Sequence, residues 1–171
     1  MDAMEDLFKE PDRRRFNAAF LVAILIAAAL IGGLIFWLSR KPSMEDQTAK
    51  ILDGSFHEGS PQFADLNKDI IISTDDDTVQ SPTGMGTISM YIKGKIRNKG
   101  THNITVLEVN VAVVTQFNQV LKERRMLAVP VQQGNLAPGD TIPITITLDG
   151  FAKDDDRANI RWKVTAIKAE G

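Results

Sequence analysis

The feature that most constrains this chain is an unbroken apolar run from Ala18 to Leu38, built only of Ala, Phe, Leu, Val, Ile, Gly and Trp. As a helix at ~1.5 Å rise per residue, twenty-one residues reach roughly 31 Å. That matches the ~30 Å hydrocarbon core of a bilayer. A helix that is apolar on every side has no face to present to water, so the run predicts a membrane span. It is longer than the apolar stretch of a cleaved signal peptide, and Arg40 and Lys41 stand where a small-residue cleavage site would lie. The expectation is an uncleaved signal-anchor.

Flanking cations set the expected direction. Lys9, Arg13, Arg14 and Arg15 precede the run, and Arg40, Lys41 and Lys50 follow it. The four-to-three bias favours an N-terminus inside and the rest outside. Phe36 and Trp37 suit the aromatic belt at the far interface. Small residues recur four apart at Ala23/Ala27, Ala28/Gly32 and Ala29/Gly33, a spacing that lets helices approach closely. The chain is thus divided into a cytoplasmic tail (1–15), a transmembrane helix (16–39), a juxtamembrane linker (40–67) and a folded domain (68–171).

The domain reads as β-structure because its apolar residues alternate. Ile88, Met90, Ile92 and Ile96 share one face, while Ser89, Tyr91, Lys93, Lys95 and Arg97 share the other. A period of two with one polar face is a half-buried strand. The next strand carries Leu107, Val109, Val111 and Val113, and Ile104 falls in the opposite register, which predicts a bulge near Val106. A tight hairpin is expected at Phe117–Val120, followed by a return strand whose charged centre, Lys122 to Arg125, is expected on a solvated edge or face. Pro143 lacks an N–H for a ladder and so predicts that the strand around Ile142–Leu148 lies at an edge or is irregular at its start. The last strand should run from Asn159 to Lys168 with Trp162 as a core anchor whose indole N–H needs a partner. A short strand is expected at Asp69–Ser73. Six or seven strands separated by turn signals point to a β-sandwich.

The stretch Gly94-Lys95-Ile96-Arg97-Asn98-Lys99-Gly100, with Leu136-Ala137-Pro138-Gly139 and the turn at Asn118, resembles the FxLYD type of small bacterial immunoglobulin-like domain. The likeness covers Gly86 to Lys168, although Gln116-Phe117-Asn118 stands where that family has its Phe or Leu, Tyr, Asp run. It implies one transmembrane helix followed by an all-β immunoglobulin-like sandwich, in the cell envelope. It implies no catalytic residues.

Composition narrows function further. Twenty basic and 22 acidic residues give a net charge of −2, which argues against a nucleic-acid partner. With no cysteine, thiol chemistry, disulfides and cysteine-based metal sites are excluded. His57 and His102 belong to no spaced metal motif. Asp75-Asp76-Asp77 and Asp154-Asp155-Asp156 supply oxygens of the kind calcium takes, without the alternating spacing of an EF-hand loop. No nucleophile elbow or phosphate loop is present. No catalytic, metal or cofactor-binding residue is therefore assigned. The expectation is a non-enzymatic interaction or accessory subunit of the bacterial cytoplasmic membrane, its domain on the periplasmic side. Its partners would be the bilayer and a protein or a second copy, with a contact edge near Lys122–Val131. The alternative is a ligand-binding or calcium-dependent adhesion module.

Overall fold

A computed structural model describes residues 18–40 and 43–170. The tail of residues 1–15, with the Lys9 and Arg13–Arg15 cluster that sets the expected direction, lies outside the described residues.

The chain divides into two compact units, Met1–Met44 and Glu45–Gly171. The described part of the first is one helix, α1 (Ala18–Ser39), with no charged residue and none of its span buried. It is long and apolar enough to cross a membrane. Its end is capped locally. The Ser39 hydroxyl donates to the Ile35 carbonyl at 2.8 Å, and the Arg40 guanidinium lies 4.3 Å from the centre of the Phe36 ring. A Cβ added at Gly32 or Gly33 would meet nothing within 4 Å, so the small-residue face is open.

The second unit is all-β apart from two short helices. Its elements are α2 (Met44–Leu52), β1 (Phe56–His57), α3 (Pro61–Asn67), β2 (Ile70–Thr74), β3 (Val79–Pro82), β4 (Ile88–Asn98), β5 (Asn103–Val114), β6 (Val120–Val129), β7 (Thr141–Phe151) and β8 (Asn159–Glu170). One sheet has the order β1-β8-β5-β6. In the other, β4 is central, with β7 along one side and β2 and β3 in succession along the other. All pairings are antiparallel.

The sheets bury their facing sides against each other. Ile96, Ile142 and Ile144 of the β4 sheet pack with Leu107, Val109 and Val129 of the β5 sheet. Further along, Met90, Ile92 and Ile146 pack with Val111 and Val113. Trp162 touches both clusters. Its ring has room because residue 94 is glycine: a Cβ there would stand 3.1 Å from the ring and 2.7 Å from the Ser73 carbonyl. The indole N–H donates to Thr74 Oγ1 at 2.8 Å, giving the anchor its expected partner and tying the two sheets together.

The expected alternation holds in β4, β7 and β8. In β5 the pairing with β8 shifts between Ile104 and Val106, and again between Glu108 and Val109. The first shift is the bulge that the two registers require.

The expected linker, residues 40–67, needs correction at its end. Phe56 and His57 pair with Ile167 and Ala166 of β8, and α3 drives Phe63 into the core, where it is 6% exposed. The Ser60 side chain accepts from the Phe63 amide at 3.2 Å, and Pro61 occupies the first turn. This Ser-Pro pair is a helix start that the sequence displays. Residues 56–67 therefore belong to the domain.

Asn98 ends β4 fully enclosed, at 1% exposure. Its side-chain amide donates to the His102 carbonyl at 2.8 Å and to the Leu136 carbonyl at 3.1 Å, and its oxygen accepts from the Gly100 amide at 2.9 Å. Its backbone adds bonds to Asp140 and Gly139. The Asn-Lys-Gly turn and the Leu-Ala-Pro-Gly turn, far apart in sequence, are thus held by one residue.

Two substitutions test this account. Asn98→Ala removes three side-chain hydrogen bonds from a buried position and should lower stability by about 3 kcal/mol in urea unfolding. Phe63→Ala should cost a comparable ~3 kcal/mol, whereas a residue in a free linker would cost nothing measurable.

Candidate functional site

The residues that line concave surface gather around β8. On the outer face of its sheet, a groove of about 800 Å³ lies over β5 and β6. Its floor is Glu108, Asn110 and Ala112 of β5. Arg161, Lys163 and Thr165 flank it from β8, Glu123 and Arg125 from β6, and Leu52, His57 and Glu58 from the segment entering the domain. Cross-strand register explains the convergence. Lys163, Asn110 and Arg125 form one row across three strands, and Arg161, Ala112 and Glu123 form the next.

Glu108 is the unusual member. Its carboxylate is 8% exposed and has no cation partner among the described residues; a hydroxyl donor, Thr165 Oγ1, holds it instead. A carboxylate removed from water needs such donors. Beside it, Asn110 Nδ2 donates to Glu123 at 2.8 Å, while Asn110 Oδ1 is buried without a donor. Lys163 pairs with Glu58 at 2.6 Å. Arg125 and Arg161 point into the groove rim with no ion pair among the described residues.

A second groove, about 500 Å³, opens on the other side of β8, between it and β2. Ile160, Trp162 and Val164 face Phe63, Ile70 and Ile72 across it, with Glu58, Asn67, Thr74 and Lys163 also in its wall, and most of its exposed surface is polar. The two grooves share Glu58, Trp162 and Lys163 and meet along the β8 edge.

Sheet edges differ in how they are treated. β7 pairs only with β4, so its other side is free, as Pro143 predicts. That side is closed by side chains. Gln132 Nε2 donates to the Thr145 carbonyl at 2.9 Å and its Oε1 accepts the Thr145 amide at 3.2 Å, reproducing what a neighbouring strand would offer. Arg124 Nη1 donates to the Thr147 carbonyl at 3.2 Å. Pro143 has no N–H to offer. The charged centre of β6 lies at an edge as expected, and its Arg124 serves this closure.

The singled-out acidic and basic residues are engaged elsewhere. Asp75 pairs with Lys95 at 3.0 Å, and Asp77 with Lys93 at 2.5 Å. The Lys93 hydrogen bond holds the Asp77 carboxyl below its usual range. Of the three basic residues of β4, Lys93 and Lys95 are thereby paired, and Arg97 is not among the ion pairs of the described residues. Asp155 caps the Ala152 amide at 2.7 Å, and Asp156 accepts from Gln116 at 3.0 Å. Among the described residues no three His, Asp or Glu side chains come together as a metal site. His57 Nδ1 lies 3.3 Å from the Thr165 carbonyl. His102 contributes its backbone carbonyl to Asn98.

Thr165→Val removes the hydroxyl from Glu108 and should destabilise the domain by about 1–3 kcal/mol. Adding Glu108→Gln to that variant should recover part of the loss, read by urea unfolding of the two proteins.

No family model matches the sequence. No curated protein matches it. A crystal structure of a Bordetella pertussis protein assigned as ApaA is similar at 21% identity and a TM-score of 0.37, covering 59% of this chain and 91% of that one.

Proposed function

We propose that this chain is a membrane-anchored interaction or accessory protein of the bacterial cell envelope. In this reading α1 is an uncleaved anchor in the cytoplasmic membrane, with the N-terminus inside. The two-sheet unit is an immunoglobulin-like sandwich of the FxLYD kind on the periplasmic side. The observation that carries the reading is α1 itself: a 22-residue helix, apolar all round and unburied, forming a unit separate from a domain that has its own core. Such a surface is stable only in lipid or against other apolar helices. Support for the fold assignment comes from Asn98, which joins the two motifs that carry the family resemblance. A grooved β8 edge then gives the domain a place to meet a partner.

Washing membranes with alkaline carbonate should leave the protein in the pellet. Protease added to intact spheroplasts should digest the domain. Purification from native membranes in mild detergent should recover a stoichiometric protein partner or a homodimer. Release into the carbonate supernatant would mean that α1 acts as a cleaved signal sequence. A protected domain would reverse the orientation, and a monomer without partners would remove the interaction reading.

A further inference from the structure

The loop that joins β7 to β8 carries Asp154, Asp155 and Asp156, with Arg157 directly after them. It crosses from one sheet to the other beside the hairpin where β5 turns into β6. A crossing of this kind leaves backbone carbonyls outside any ladder. Carbonyls next to a run of carboxylates are the oxygens that calcium takes. Here those oxygens are bound within the chain. Asp155 accepts the Ala152 amide at 2.7 Å, and Asp156 accepts the Gln116 amide at 3.0 Å. The Ala152 and Lys153 carbonyls accept from the two Nη atoms of Arg157, at 2.7 and 3.5 Å. Arg157 Nε donates to Gln80 Oε1, from β3, at 3.0 Å. The same guanidinium stands 5.9 Å from the centre of the buried Phe151 ring.

We infer that Arg157 is the built-in cation of this loop, and that its guanidinium organises this end of the sandwich in place of an external ion. Three neutral oxygens from two segments converge on one half-buried charge. A guanidinium suits them because it presents its donors in a fixed planar fork. An ammonium gathers its donors at one point and cannot span the same set.

The effect reaches the neighbouring hairpin through Asp156. Within the hairpin, Thr115 Oγ1 accepts the Phe117 and Gln119 amides, each at 3.2 Å. The Gln116 amide goes instead to Asp156. Asp156 stays in reach only while the loop keeps its path, and Arg157, one residue on, fixes that path to β3. Phe117, 76% exposed, is therefore displayed on a hairpin whose shape depends on Arg157. This device stands independently of the interaction reading above.

The test uses the full chain in detergent micelles, with amide exchange and melting temperature as readouts. In the parent, exchange at Ala152 and Gln116 should be the same in millimolar calcium and in EDTA. Arg157→Ala should speed exchange at both amides about tenfold, with a smaller change at Val109 and Val111 in the core. Millimolar methylguanidinium should slow it again, whereas methylammonium, the same charge without the fork, should not. Arg157→Lys should fall between the parent and the alanine variant. Protection of the parent loop by calcium would make the aspartates a metal site and overturn the proposal. So would unchanged exchange in Arg157→Ala, equal rescue by the two cations, or acceleration at Ala152 without any at Gln116.

Discussion

The domain depends on one enclosed amide. Asn98 sits at the end of the central strand β4, and its side-chain amide bonds the His102 and Leu136 carbonyls while its oxygen takes the Gly100 amide. Buried peptide groups without hydrogen bonds are costly, so loops normally stay at the surface. Here three chain segments meet at one buried side chain, and an amide that both donates and accepts joins them. Aspartate could not donate to the two carbonyls, and leucine could neither donate nor accept. The turn at residues 98–100 positions the start of β5, while the bonds to Leu136, Gly139 and Asp140 position the start of β7. The facing sheets are therefore set against each other from one end, and the Trp162–Thr74 hydrogen bond ties them again further along.

Much of this architecture is legible in sequence because its periods are local. The apolar run of α1 and the alternation in β4 and β7 require no knowledge of the rest of the chain. Pro143 announces an edge because a missing N–H is a property of the residue itself. The Val106 bulge is legible because Ile104 and Leu107 cannot share a face without it. What escapes is short or non-local. β1 has two residues and β3 four, too few to show a period. The assignment of 56–67 to the domain turns on the two-residue pairing of β1 and on Phe63, although Ser60-Pro61 marks the helix that carries Phe63 inward.

The candidate site was less legible than the fold, for a geometric reason. Its members come from residues 52–58, 108–112, 123–125 and 161–165, and only the antiparallel register places them in rows. The charge runs visible in the sequence are the aspartate triplets, of which Asp75 and Asp77 pair with β4 lysines and Asp155 and Asp156 accept backbone amides. Glu108 carries no such signal. In sequence it is one acidic residue in a valine-rich strand, and its burial follows from β5 being flanked by β8 and β6. A central strand has both faces crowded, so even its outward residues lose water.

The two sides of the domain treat their strand edges differently. A free strand edge is a hazard, and folded proteins blunt it with charge, proline or covering side chains. All three devices appear on the β6–β7 side: Lys122 to Arg125 along β6, Pro143 in β7, and the Gln132 amide on Thr145. On the β8 side the cover is partial. α3 shields the part that carries Phe63, but Gly59 withdraws β1 before it reaches Val164. Had burial of the edge been the only requirement, a longer β1 would have supplied it through ordinary ladder bonds. The chain instead ends β1 at Gly59 and turns into α3, whose Phe63 joins the core cluster that holds Val164 and Ile167 of β8.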